Sequence, residues 1–172
     1  MKYQDCADAL QAGAAAADSA ARLAEANINP ATGLASDYLN HFNEAIMLLE
    51  MLSSCPDCLA DFLGWRAKSY REHFEFSRFK SRHLAIAAYD AADPNLRARL
   101  DALADAMTAI LEFTRTAMSP AIPLNTTAAL AERAATLLRS LVARAGAVIN
   151  GEADAGKPPS PQAMVDRLMK RA

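Results

Sequence analysis

The chain has 172 residues, 52% of them hydrophobic but only 6% aromatic, and a formal net charge of −2. That length suits one domain able to bury roughly 70% of its unfolded surface. The slight acidity excludes the broad basic field that drives non-specific nucleic-acid binding. Alanine and leucine supply the apolar content, and both favour helix. Alternating runs of Val, Ile and Thr are missing, so the expected fold is all-α, a single-domain bundle of five or six helices. Residues 1–150 form the bundle in this reading. Residues 151–172 form a linker followed by a short C-terminal helix or a disordered tail, loosely attached.

In chain order, the first helix is expected over about 3–26, with Leu10, Ala14, Ala17, Ala21 and Ala24 on one stripe that admits a close neighbour. Asn27 and Asn29-Pro30 end it. The second helix is expected from about Ser36 to Ser53. Tyr38, Phe42, Ala45, Leu49 and Leu52 centre its apolar face, and Leu39, Ile46 and Leu48 widen it. Pro56 then opens a short helix that Gly64 closes. Ser69 with Glu72 has capping-box spacing. The stretch 69–92 contains neither Gly nor Pro, and reads as one long helix or as two joined near Ser77–Ser81. Asp93-Pro94 starts a helix over 93–118 with Leu96, Leu100, Leu103, Met107, Ile110, Leu111 and Met118 on one face. Asn125 or Thr126 caps the last long helix, 126–149, whose face is Leu130, Ala134, Leu137, Leu141, Ala145 and Val148. Asn150-Gly151 stops it.

Charge is unevenly spread along this plan. Residues 1–65 carry two bases against nine acids, residues 66–83 carry six against two, and the remainder carries ten against nine. An acidic face meeting a basic one, inside the fold or across a homodimer, accounts for this; an anion-binding patch is the alternative. The start lacks the apolar stretch of a secretory leader, and no apolar run reaches ~18 residues. A cytoplasmic location is therefore expected, with Cys6, Cys55 and Cys58 reduced.

Three groups of residues could carry chemistry. Asp37, His41 and Glu44 lie at spacings of four and three on one side of the second helix. With His73 or His83 they could hold a divalent transition metal, although i,i+4 charge pairs are common on helices without a ligand. Cys55-Pro56-Asp57-Cys58 sets a thiol pair at a helix start, where free N–H groups stabilise thiolate. The acids Asp57 and Asp61 oppose that gain, so ordinary, unbonded thiols about one turn apart are expected. A zinc knuckle adding Cys6 lacks the second close-spaced pair. Third, Trp65, Tyr70, Phe74, Phe76 and Phe79 alternate with bases, a single-strand nucleic-acid composition, but Tyr70 and Phe74 at i,i+4 fit core packing.

A glutamate followed about a dozen residues later by Cys-x-x-Cys, as Glu44 is by Cys55 and Cys58, resembles the AhpD-like helical peroxidases. The resemblance implies an all-α thiol redox protein. Phe62 stands where that pattern has its proton-relay histidine. Residues from about Gly33 to Leu100 also resemble bacterial hypothetical proteins with no assigned activity. The leading expectation is a binding or regulatory bundle without a defined cofactor. Its site is a polar pocket between the second helix and the 69–92 segment, using Asp37, His41, Glu44, Trp65, His73 and His83. The partner is a small ligand or a protein, neither nucleic acid nor membrane.

Overall fold

A computed structural model describes residues 17–118, 123–152 and 157–170. The chain is all-α. The described part of α1 covers 17–25, and a single 3-10 turn, Ser36–Tyr38, leads into α2, Leu39–Met51. There follow α3 (Cys58–Gly64), α4 (Tyr70–Glu75), α5 (Arg82–Ala91), α6 (Pro94–Ala117), α7 (Leu124–Ile149) and α8 (Pro161–Met169). Among the described residues the nearest thing to sheet is one isolated bridge, Ile28 to Ala35. No described helix is long and apolar enough to cross a membrane.

α6 and α7 pack as a long hairpin, α2 lies along α7, and α8 crosses α6. Their faces follow the 3.6-residue period. Leu100, Leu103, Met107, Ile110 and Leu111 are buried from α6, and Ala134, Leu138, Leu141, Ala145 and Val148 from α7. Asp93 caps α6, its carboxylate accepting the N–H groups of Asn95 at 2.7 Å and Leu96 at 3.3 Å. Asn27, at φ 53°, ends α1 in the left-handed region, and Gly151 at φ 74° ends α7.

One open alternative is decided and four expectations are corrected. The 69–92 stretch is two helices joined across Ser77–Ser81, because the Ser77 hydroxyl donates to the Phe74 carbonyl at 2.9 Å and accepts from the Phe79 N–H at 3.2 Å. A serine offering those bonds gives the backbone an alternative to continuing the helix. α7 begins at Leu124 after Pro123, so neither Asn125 nor Thr126 is its cap. α3 begins at Cys58, with Asp57 before it, so Cys55 and Pro56 lie in the preceding turn. Ala17, Ala21 and Ala24 of α1 are exposed, not packed against a neighbouring helix of the described residues, while Leu10 and Ala14 lie outside the described residues. Finally, the C-terminal segment is not loosely attached. α8 buries Met164 and Leu168 in the common core, with Ser160 capping it through the Ala163 N–H at 3.2 Å.

α4 is only six residues long, and isolated helices of that length are unstable in water. Its start is fixed by a complete capping box. The Ser69 hydroxyl accepts the Glu72 N–H at 3.3 Å and the Glu72 carboxylate accepts the Ser69 N–H at 2.8 Å. Ser69→Ala is expected to cost about 1 kcal/mol in urea unfolding. An unchanged midpoint would mean that tertiary packing alone sets this helix.

Candidate functional site

The 3-10 turn, α4, α5 and α6 meet around an aromatic cluster. Tyr38 packs against Phe42, Tyr70 and His73 with ring centroids 5.5, 5.2 and 5.7 Å away. Tyr70 stacks on Tyr89 at 4.3 Å. Ring pairs at such separations add to the stabilisation from burial itself.

Of the residues marked by spacing, the structure brings together His41, Trp65 and His73. His41 is 5% exposed and stacks on the Trp65 ring at 4.7 Å. The Trp65 indole N–H donates to the His41 carbonyl at 3.2 Å. His73 stands 6.1 Å from His41, centroid to centroid. His41 Nε2 is buried with no hydrogen-bond partner. Burial, followed by the charges of Lys68 and His73, pushes His41 down to about 4, against a backbone hydrogen bond with Arg66 that pulls the other way. Burial and Lys68 also lower His73, and Asp37 opposes them. Both imidazoles are therefore held neutral, as buried bases are.

Of the other marked residues, Asp37 reaches this group through a backbone hydrogen bond with His73, whereas Glu44 and His83 stay apart from it. Asp37 is half-buried in the 3-10 turn, Glu44 is exposed, and His83 is exposed on α5. Glu44 lines a different groove, with Met47, Asp61 and Trp65. Among the described residues no group of three or more His, Cys, Asp or Glu side chains is placed to hold a metal ion. The donor set expected for a transition metal does not converge, and Cys6 lies outside the described residues.

Cys55 and Cys58 are free thiols. Cys58 is buried at the start of α3, and a hydrogen bond with Cys55, then burial, pushes its thiol up. A reactive thiol requires the reverse shift. Phe62, at the histidine position of the AhpD-like pattern, is wholly buried in the core. Tyr70 and Phe74 are likewise core residues, and Phe76 alone of the interleaved aromatics stands 78% exposed.

The polar cavity at this junction is lined by other side chains. It measures about 240 Å³ and its walls are Tyr38, Ser69, Tyr70, Arg71, Tyr89, Asp101, Ala104 and Asp105, not His41 or His73. The Tyr89 hydroxyl donates to the Asp101 carboxylate, 2.7 Å from each oxygen. Tyr38 donates to the Lys68 carbonyl at 3.1 Å. The Tyr70 oxygen accepts the Ala35 N–H at 2.9 Å. Burial above all raises the titration of all three phenols and of Asp101. Sequence reasoning placed Tyr38 and Tyr70 in the core and passed over Tyr89, Asp101 and Asp105. The available signal was Arg97, Asp101 and Asp105 repeating every four residues along one side of α6.

A larger cavity of about 750 Å³ lies between α2 and α7, lined by alanines, Leu49, Ser53, Asn125 and Thr136 and by the charged Glu50, Glu132 and Arg139. Glu50 and Arg139 satisfy each other in a two-point ion pair at 2.6 and 2.7 Å. Size alone does not define a ligand site, which needs polar groups that converge. The arrangement thus defines a helical bundle with one convergent polar pocket walled by tyrosines and aspartates. Comparison of the chain with protein-family models, with curated proteins and with solved structures finds no match.

Proposed function

We propose that this protein is a binding or regulatory module whose ligand site is the junction pocket of Tyr38, Tyr70, Tyr89, Asp101 and Asp105. The supporting observation is the pocket itself. Four elements of the chain converge on it, and it combines rigid aromatic walls with fixed polar groups, as small-ligand sites do. The pocket lies where the Ser36–Tyr38 turn, α4 and α5 meet α6, and no α2 side chain lines it. His41, Trp65 and His73 stand behind Tyr38 and hold the wall in place, while Glu44 and His83 take no part.

Screening small-molecule fragments against the full chain by NMR tests this reading. Bound fragments are expected to shift the ring resonances of Tyr38, Tyr70 and Tyr89. Ala104→Leu, which narrows the pocket, should abolish the shifts while the protein stays folded. Fragments that instead gather in the α2–α7 cavity, or that bind Ala104→Leu equally well, would refute the assignment.

A further inference from the structure

Hydrogen-bond donors and acceptors in the junction pocket are unequally spent. The hydroxyl donors are committed to protein acceptors: Ser69 to Glu72 at 2.8 Å, Tyr38 to the Lys68 carbonyl, and Tyr89 to Asp101. Tyr70 keeps its O–H, since its oxygen serves as acceptor for Ala35. The guanidinium of Arg71 is drawn to Asp90 at the rim. The acceptors are in surplus. Among the described residues Asp101 receives a bond from Tyr89 alone, leaving most of its lone-pair sites open. Asp105 is exposed and has neither a hydrogen bond nor an ion pair among the described residues.

The charges lean the same way. Two carboxylates line the pocket against one guanidinium, which Asp90 already neutralises. Arg97, outside the pocket lining and with its buried Nε unpartnered among the described residues, lies 5.7 Å from the Tyr89 ring and offsets part of the Asp101 charge. Asp105 has no such partner. Asp101 and Asp105 are four residues apart on α6, so their side chains stand on one face and repel each other.

We infer that the pocket binds a small organic cation bearing N–H donors, a primary ammonium or guanidinium group, held between Asp101 and Asp105. Such a group supplies both what the walls lack, donors, and the charge that relieves the carboxylate pair. An anion would meet two carboxylates, and a neutral acceptor would find few free donors. The volume suits a short alkyl chain beside the tyrosine rings. A divalent metal lacks a third protein donor here.

This inference rests on the junction pocket being the ligand site, and the test separates the two. The full chain is titrated with butylammonium and butylguanidinium, and with butyltrimethylammonium, butyrate, butanol and calcium as comparisons. Tyrosine ring resonances and calorimetry are the readouts. The expected result is that the two N–H cations shift Tyr38, Tyr70 and Tyr89, and that butyltrimethylammonium binds more weakly. Asp105→Asn, at an exposed position that should not disturb folding, is expected to weaken N–H cation binding about 10-fold or more, as loss of a charged hydrogen-bond acceptor does. Asp101→Asn should do the same. Butanol or butyrate binding as well as butylammonium would overturn the cation inference and leave the pocket assignment standing. Calcium as the preferred ligand would overturn it equally. Cation binding unaffected by both Asn substitutions would overturn the cation inference, and shifts confined to residues outside the pocket would overturn both.

Discussion

Gly33→Ala is expected to lower the unfolding free energy by about 2–4 kcal/mol, roughly 5–12 °C in melting temperature for a chain of this size. Gly33 has φ +71°, which an L side chain adopts only with strain. Its missing Cβ would also stand 2.8 Å from the carbonyl oxygen of Ala88 on α5 and 3.4 Å from the side chain of Ala92, just past the end of that helix. That neighbour is backbone, so no rotamer change relieves the contact. The loop cannot back away either. Thr32 donates to the Ile149 carbonyl at 2.6 Å, and the Ala35 N–H is bound to Tyr70. The 28–35 loop thus latches the ends of α5 and α7 to the wall of the pocket. Thermal unfolding of Gly33→Ala followed by circular dichroism checks this. A melting point within 2 °C of the parent would show that the latch tolerates a side chain and that the loop is softer than its bonds imply.

Acidification from pH 7 to pH 5 is expected to remove about 2 kcal/mol of stability through His41 alone. The folded-state value of about 4 lies below the ordinary 6.5. Between those values the unfolded chain binds more protons, so stability rises with pH. The contribution is complete above pH 6.5 and is lost as pH falls towards 4. Protonated His41 would face Lys68 and His73 with almost no water to screen the charge. His73 acts in the same direction, and Asp101, raised by burial, acts in the opposite one. Glu50 and Glu72, held low by Arg139 and Ser69, lose their contribution only at lower pH, within the carboxylate range. Urea unfolding at both pH values should show the loss in the parent chain and most of it abolished in His41→Gln. An equal pH dependence in the variant would rule out His41 as its source.

The two results depend on the molecule in different ways, and the contrast bears on what a sequence can reveal. Gly33 could be read as a turn residue, yet its closeness to α5 could not. His41 could be placed at the edge of an apolar face, but its stacking on Trp65 and its unpartnered Nε2 depend on a residue 24 positions away. The pocket is the extreme case. Tyr38, Tyr70, Tyr89 and Asp101 come from four elements, and their hydrogen bonds must be counted together before the surplus of acceptors appears.

The sequence by itself determined the all-α class, the long helices of α2, α6 and α7, and their buried faces, because helical periodicity and capping are local properties written within about four residues. Ser69, Asp93 and Gly151 mark helix ends by the same local chemistry. Tertiary structure alone decided the rest. It seated α8 through Met164 and Leu168, left Ala17, Ala21 and Ala24 of α1 exposed, and kept Asp37, His41 and Glu44 from converging on a metal. The physical reason is shared. Burial, desolvation and the satisfaction of polar groups depend on which distant surfaces meet, and a pattern along one helix carries no record of its neighbours.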